Sequence, residues 1–313
     1  MKRVVVALGG NALLARGDED SAEAMRRSAR HASEVVAGIA EAGWEVVVTH
    51  GNGPQVGRIL LQQEAASGLV APMPLDVCDA ESQGQIGYLL QANIGDVFYE
   101  RGMDRPVVTI LTLTRVPRDD PAFAEPTKPI GPYYEEPEAK RLMTARGWAM
   151  APAPGDDGKW RRLVPSPHPY SIVEAPVIRR LVAEGVIVIA AGGGGVPVVE
   201  DGPRLVGVEG VVDKDLAACI LARDVEADAL MIATDVEGVF ERFGTAEQRL
   251  LSSLPAEEAR RRLDDGEFGE GSMKPKVEAA VQFVAQGGRR AIITSLHDAG
   301  RALAGEAGTQ ITL

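Results

Sequence analysis

Bare glycine turns and a small number of lysines are the residues of this chain whose types and placing could do chemistry. Gly9-Gly10-Asn11 follows the apolar run RVVVAL (3–8), Gly51-Asn52-Gly53 follows WEVVVTH (44–50), and Gly192 to Gly195 follow VIVIA (186–190). Glycine has no Cβ, so an anion can approach the backbone N–H groups, and a helix N-terminus after the turn adds positive potential. Each turn alone reads equally well as a tight strand-to-helix connection that needs a positive φ. Turns after neighbouring strands, however, face one crevice.

The cations carry a second signal. Of the 33 basic residues 26 are Arg and 7 are Lys, so Arg is the generic solvated cation here and each Lys invites inspection. Lys2, Lys140 and Lys159 lie in exposed-looking contexts. Lys128 stands between Pro126 and Pro129, which stiffen the backbone that aims it. Lys214 is flanked by Asp213 and Asp215 at what reads as a helix start. Asp213 there reads best as an N-cap, and Asp215 as a partner that holds Lys214 or a metal-bound water. Lys276 follows Gly271-Ser272 and Pro275 at the opening of another helix, where the dipole attracts phosphate. Lys274 beside it reads as solvated. An ammonium is a compact charge that can follow a migrating anion, whereas guanidinium prefers a planar fork.

Other chemistries lack their residues. There is no GxxxxGK[ST] loop, no protein-kinase signature set, no GxSxG elbow and no His/Cys cluster with zinc spacing. His50 precedes the second glycine turn and reads more readily as packed than as reactive; His31, His168 and His297 read as surface. Cys78 and Cys219 sit in helical stretches, too few for a disulfide framework. The net charge of −12 argues against a nucleic-acid footprint but allows a local anion site in a cleft. MKRVVVALGGNALL is too short an apolar run for a signal peptide, and no run approaches a membrane span, so the expected compartment is the cytoplasm.

The elements that must position these residues alternate. Buried strands are expected at 3–8, 44–50, 106–114, 186–190, 228–236 and 291–295, with PVVE (197–200) and a terminal QITL as further strands. Helices are expected at 21–42 with Ser21 as cap, 54–66, 79–101, 174–184, from about Asp213, and at 255–264, 273–287 and 298–304. Such alternation signals a parallel sheet covered on both faces, whose ligands collect beyond the carboxyl ends of the strands. Only 4% of residues are aromatic while 45% are hydrophobic, so small aliphatic side chains must build the core. Residues 117–170 break the rhythm with Pro, charge and six of the aromatic residues, and read as an inserted subdomain, a hairpin with a short helix at 135–146, standing over the sheet edge as a lid.

Taken together, ALGGNAL (7–13), THGNGPQVG (49–57), PTKPIGPYY (126–134), RRLVPSPHPYSIVE (161–174), AAGGGGVPV (190–198), GVVDKDLAA (210–218), TDVEGVF (234–240) and GSMKPKVEAAVQFV (271–284) resemble the carbamate kinase branch of the amino acid kinase fold, in family order over nearly the whole chain. The resemblance implies one domain over 1–313, a three-layer αβα sandwich with an open, mainly parallel eight-stranded sheet and a protruding subdomain at 117–170, and a homodimer. It implies reversible transfer, ATP plus carbamate giving ADP plus carbamoyl phosphate, used to make ATP in arginine or related nitrogen catabolism. The N-terminal half would take carbamate or carbamoyl phosphate, and 186–313 ADP or ATP with Mg2+ carried on phosphates and water rather than on protein ligands. Gly9, Gly10, Asn11, Gly51, Asn52 and Gly53 would line the phosphoryl group. Lys128 would reach down from the subdomain, Lys214, Asp215 and Lys276 would surround the bridging oxygen, and Thr234, Asp235, Val239 and Met273 would lie near the nucleotide. Related acid kinases resemble K-x-G-G at the first loop, where this chain has Ala7; the lysine of PTKP replaces that charge. His168 and Lys274 depart from the family pattern, outside the residues assigned to transfer. The other readings are a different acid kinase of this fold and a nucleotide-binding regulator without turnover.

Overall fold

The computed structural model of the chain describes residues 2–9, 21–153, 158–269 and 273–313. Its main sheet has eight strands in the order Ser253–Pro255, Thr309–Thr312, Arg290–Ser295, Ala229–Thr234, Lys2–Leu8, Trp44–His50, Ile187–Ile189, Val107–Thr109. Six run parallel; Thr309–Thr312 is antiparallel to Arg290–Ser295, and Ser253–Pro255 follows it in parallel. The first strand is therefore central, with Trp44–His50 on one side and Ala229–Thr234 on the other. Chain order reverses at this strand, and such a switch point opens a crevice beyond the carboxyl ends of the strands.

The helices among the described residues are α1 (Ala22–Glu41), α2 (Gly53–Ala66), α3 (Leu75–Glu100), α4 (Glu136–Arg146), α5 (Ala175–Ala183), α6 (Lys214–Asp224), α7 (Ala256–Asp264), α8 (Met273–Ala285) and α9 (Ala299–Ala304). Strand side chains alternate faces, and the two cores follow that alternation. Val4, Val6, Leu8, Val46, Val48, Met231 and Ile292 pack under α1, α3 and α9. Val5, Ala7, Val47, Val188, Leu230, Ile232 and Ile293 pack under α5, α6, α7 and α8. This is why VVVAL carries no polar residue: both faces of the strand are covered. The expected three-layer αβα sandwich with a mainly parallel eight-stranded sheet is what the chain forms.

Two expectations change. The run 106–114 is not one strand. Val107–Thr109 closes the edge of the main sheet, while Leu113–Arg115 joins a second sheet with Arg204–Gly207, Val196–Asp201 and Ser171–Ile172, which also takes PVVE. The break has a tertiary cause: the Gln83 side chain on α3 accepts from Thr112 N–H at 2.9 Å and donates to Thr112 C=O at 3.0 Å, drawing that peptide out of the strand. Helix α3 also starts at Leu75, four residues before the expected 79, with Pro74 as its entry.

Between Lys128 and Val164 lies a separate antiparallel sheet, Lys128–Glu135, Lys159–Val164 and Ala149–Pro152, with α4 packed on it through Ala139 and Leu142. It meets the body where Ile130 and Val164 pack with Val56, Ile59, Leu75, Cys78 and Val211. Leu230 lies fully buried at the sheet centre and Leu69 is 90% exposed. Leu230→Ala is expected to cost about 2–5 kcal/mol in urea unfolding, and Leu69→Ala less than about 0.5.

Candidate functional site

The carboxyl ends of the central strands bring the glycine turns into one place. Gly51 N–H donates to Leu8 C=O at 3.1 Å, and Thr49 Oγ1 donates to Ala191 C=O at 2.8 Å, so the ends of three strands are stitched together. A Cβ on Gly9 would sit 3.1 Å from Ala233 C=O, which places the first turn against the end of the strand that finishes at Thr234. At Gly192 a Cβ would fall 2.4 Å from Nε2 of His50, and at Gly193, where φ is +66°, 2.2 Å from Nδ2 of Asn52. The third turn is thus bare because the second turn presses on it. Gly10 and Asn11 lie outside the described residues.

Beneath the second turn is a buried polar layer that composition alone does not announce. Asn52 donates its amide to Ser82 Oγ at 2.8 Å and to Asp79 Oδ1 at 3.4 Å, both on α3, so that side chain is directed inward. Ser82 Oγ in turn donates to Asp79 C=O at 2.7 Å. Oδ2 of Asp79 is buried without a partner. Burial holds the Asp79 carboxyl well above its usual range, against the opposing Asn52 hydrogen bond. His50, two residues before Asn52, is buried, its Nδ1 2.9 Å from Gly51 C=O. Burial lowers its pKa to about 4, the Gly51 carbonyl opposes this, and the nearby Lys214 charge adds to the lowering.

Facing these turns is the N-terminus of α6. Asp213 caps it, Oδ1 accepting from Asp215 N–H at 2.9 Å, and Oδ2 of the same residue accepts from Lys128 Nζ at 2.7 Å. Asp215, 2% exposed, accepts from Lys214 Nζ at 2.5 Å on Oδ1 and from Lys276 Nζ at 3.2 Å on Oδ2. Burial would raise the Asp213 carboxyl, but the Lys128 charge and hydrogen bond, the Asp215 N–H and the Lys214 charge together hold it below the ordinary value. Gly194 abuts this corner, since a Cβ there would meet Val212 C=O at 2.5 Å. Lys128, Lys214, Asp215 and Lys276, drawn from the insertion, α6 and α8, therefore converge.

Of the remaining sequence candidates, Thr234 lies against Gly9, where an added Cβ would sit 3.9 Å from its Cα. Thr234 ends its strand half-buried, and Asp235 follows it exposed. Val239 is fully buried with its N–H donated to Thr309 Oγ1 at 2.8 Å, a wall residue rather than a contacting tip. Met273 opens α8 half-buried against the core, three residues before Lys276. Among the described residues no group of three His, Cys, Asp or Glu side chains could hold a metal ion. Each of the four Asp213 and Asp215 carboxylate oxygens accepts from one N–H donor. Sequence reasoning missed Asp79 and Ser82, and saw Asp213 only as a cap; its second oxygen meets a residue 85 positions away.

Other proteins share these features. The amino acid kinase family model matches residues 2–295. The chain is 49% identical over 313 residues to the carbamate kinase of Pyrococcus horikoshii, covering 99% of each chain. It is 50% identical over 313 residues to that of Halobacterium salinarum, covering 99% of this chain and 98% of the other. In structure it is similar to carbamate kinase from Giardia lamblia bound to AMP-PNP, with a TM-score of 0.93, 42% identity and coverage of 99% and 98%. UMP kinase from Bacillus anthracis, 15% identical with a TM-score of 0.53 over 99% of this chain and 96% of that one, shares the fold alone.

The two buried titratable groups give opposite pH slopes. Between about pH 6.5 and 4 the unfolded chain binds a proton at His50 that the folded chain refuses, so stability falls as pH drops through that window. Asp79 loses its proton near 3.8 when unfolded and holds it to higher pH when folded, so its contribution falls as pH rises above that value. In urea melts across this range, His50→Gln should escape on the order of 3 kcal/mol of the acid loss. Asp79→Asn should gain on the wild type steadily as pH rises. Parallel pH curves for either variant and wild type would contradict the assignment.

Proposed function

We propose that this chain, which belongs to the amino acid kinase family and within it to the carbamate kinases, moves a phosphoryl group between ATP and carbamate. The observation that carries this reading is the convergence of Lys128, Lys214 and Lys276 on Asp213 and Asp215, opposite the glycine turns. In the forward direction a carbamate oxygen forms the new bond to phosphorus as the bond to the ADP oxygen breaks; the reverse makes ATP from carbamoyl phosphate. A loose phosphoryl transition state asks for positioning and positive charge around its equatorial oxygens, and for no covalent nucleophile. Lys128, Lys276 and the backbone N–H groups at Gly9, Gly10, Asn11, Asn52 and Gly53 supply that charge, Gly51 lines the phosphoryl group with its own N–H held by Leu8 C=O, and Asp215 fixes Lys214 and Lys276.

The nucleotide takes the side of Thr234, Asp235, Val239 and Met273, within 186–313, with its Mg2+ on the phosphates; carbamate takes the side of the first two turns, under the 117–170 insertion. The use we assign is ATP formation in arginine or related nitrogen catabolism. Retention of every transfer lysine speaks against a regulator without turnover, and Ala7 with the PTKP lysine speaks against a different acid kinase. No helix among the described residues is long and apolar enough to cross a membrane. Cys78 and Cys219 are buried free thiols, which fits the reducing cytoplasm, where we place the protein.

The test is ATP formation from ADP and carbamoyl phosphate. Lys128→Ala and Lys276→Ala should each lose about 10²–10³ in turnover while staying folded, the usual cost of one transition-state charge contact. Near-normal turnover in either variant refutes its role.

We assign a homodimer to the exposed edge opposite the nucleotide strands. Tyr88, 65% exposed, and Leu111, 52% exposed, line one surface with Val107 and Thr109 of the edge strand. Sedimentation should show a dimer for the wild type and a monomer for Tyr88→Arg.

A further inference from the structure

We propose that Asp213 is a positioning residue for Lys128, a helix cap whose second carboxylate oxygen ties the insertion's lysine to the N-terminus of α6. The proposal rests on the phosphoryl-transfer reading above and extends it to a residue whose local sequence reads as a cap alone.

The electrostatics make the tie necessary. Lys128, Lys214 and Lys276 share a corner with the positive end of α6, and like charges repel at that range. Lys214 and Lys276 are held by Asp215, whose two oxygens are both occupied by them. No oxygen of Asp215 carrying a free face toward the insertion is needed for Lys128, because Oδ2 of Asp213 receives it at 2.7 Å. The acceptor is rigid: Oδ1 of the same carboxylate is fixed by Asp215 N–H at 2.9 Å. Among the further ion pairs that bridge insertion and body are Arg146 to Glu64 at 2.5 Å and Arg162 to Glu209 at 2.9 Å. Neither ends on a helix cap, and Glu209 is 55% exposed against 18% for Asp213. Lys128 also sits where the insertion is stiffest: Pro129 follows it and its backbone pairs with Val164, which is packed into the interface cluster. Asp213 thus sets the resting place of the ammonium beside Lys214, a short swing from an anion bound at the α6 N-terminus. When the anion arrives it supplies the negative charge, and Lys128 can be shared with it without crossing the crevice.

Asp213→Asn separates the two duties of the residue. Asn caps helices about as well as Asp, so the bond to Asp215 N–H survives while the charge that draws Lys128 is gone. Steady-state ATP formation from carbamoyl phosphate and ADP is compared in two backgrounds, native and Lys128→Met, and hydrogen exchange is followed in 128–135 and 214–224 without substrates. The native background should lose about tenfold in kcat/KM for carbamoyl phosphate, within the range of measured pairwise couplings, with KM for ADP unchanged. With Lys128→Met already present, Asp213→Asn should change kcat/KM by less than about twofold. Exchange should quicken in 128–135 and stay as it was in 214–224. An equal loss in both backgrounds, or no loss in the native one, overturns the proposal by leaving Asp213 a cap only. If Lys128→Met itself costs no turnover, the assignment of Lys128 to phosphoryl transfer fails instead. The exchange arm then decides the tie alone: faster exchange in 128–135 upholds it and unchanged exchange overturns it.

Discussion

Three ammonium groups and the positive end of a helix cannot share one corner of a protein unless negative charge is built in beside them. Two aspartates on the first turn of α6 meet that requirement here, Asp213 taking Lys128 and Asp215 taking Lys214 and Lys276. Because Asp213 also closes the first turn of the helix, secondary structure and site electrostatics are settled by the same atoms. Before an anion binds, cationic charge in the corner exceeds carboxylate charge by one, three against two, and the α6 dipole adds to the excess. The excess makes the corner attractive to a small phosphorylated anion. Lysine suits it better than arginine, since a point charge on a flexible stem can pass between a carboxylate and a moving phosphoryl oxygen.

That corner would be of no use without the opposite wall, and the sheet provides it by topology. The strand Lys2–Leu8 lies between Trp44–His50 and Ala229–Thr234, so its end meets Gly51 through Leu8 C=O and Ala233 through Gly9. The Gly192–Gly195 turn is wedged between that wall and α6, touching His50 and Asn52 on one side and Val212 on the other. Each of these approaches is closer than a Cβ allows, which turns a run of four glycines from a flexible linker into a packed spacer fixing the width of the crevice.

Much of this was legible in sequence because it is local. RVVVAL and WEVVVTH are too apolar to be anything but strands covered on both faces, and Ser21 marks its helix start by accepting from Ala24 N–H. The lysines stood out because the chain uses arginine almost everywhere else. What escaped depends on contacts between distant residues. Nothing near 106–114 reveals that Gln83 claims the Thr112 peptide and splits the strand. Asp79 falls on a helix face between small and polar neighbours, and only the fold shows that this face is the one beneath Asn52. Asp213 was recognised by half its function, because a cap is a two-residue pattern and an ion pair to an inserted subdomain is not.

The buried layer under the second turn gives a physical reason for an arrangement that looks costly. A carboxyl that burial pushes well above its usual range, with Oδ2 lacking a partner, is destabilising by itself. Burial disfavours a negative charge behind the second glycine turn, while Oδ1 receives the Asn52 amide. His50 follows the same logic with the opposite sign: neutral, it packs against Gly192 without adding a fourth positive charge to repel the lysines across the crevice. Burial therefore disfavours charge at both His50 and Asp79 behind the second glycine turn, and the site's charge is concentrated at the α6 corner.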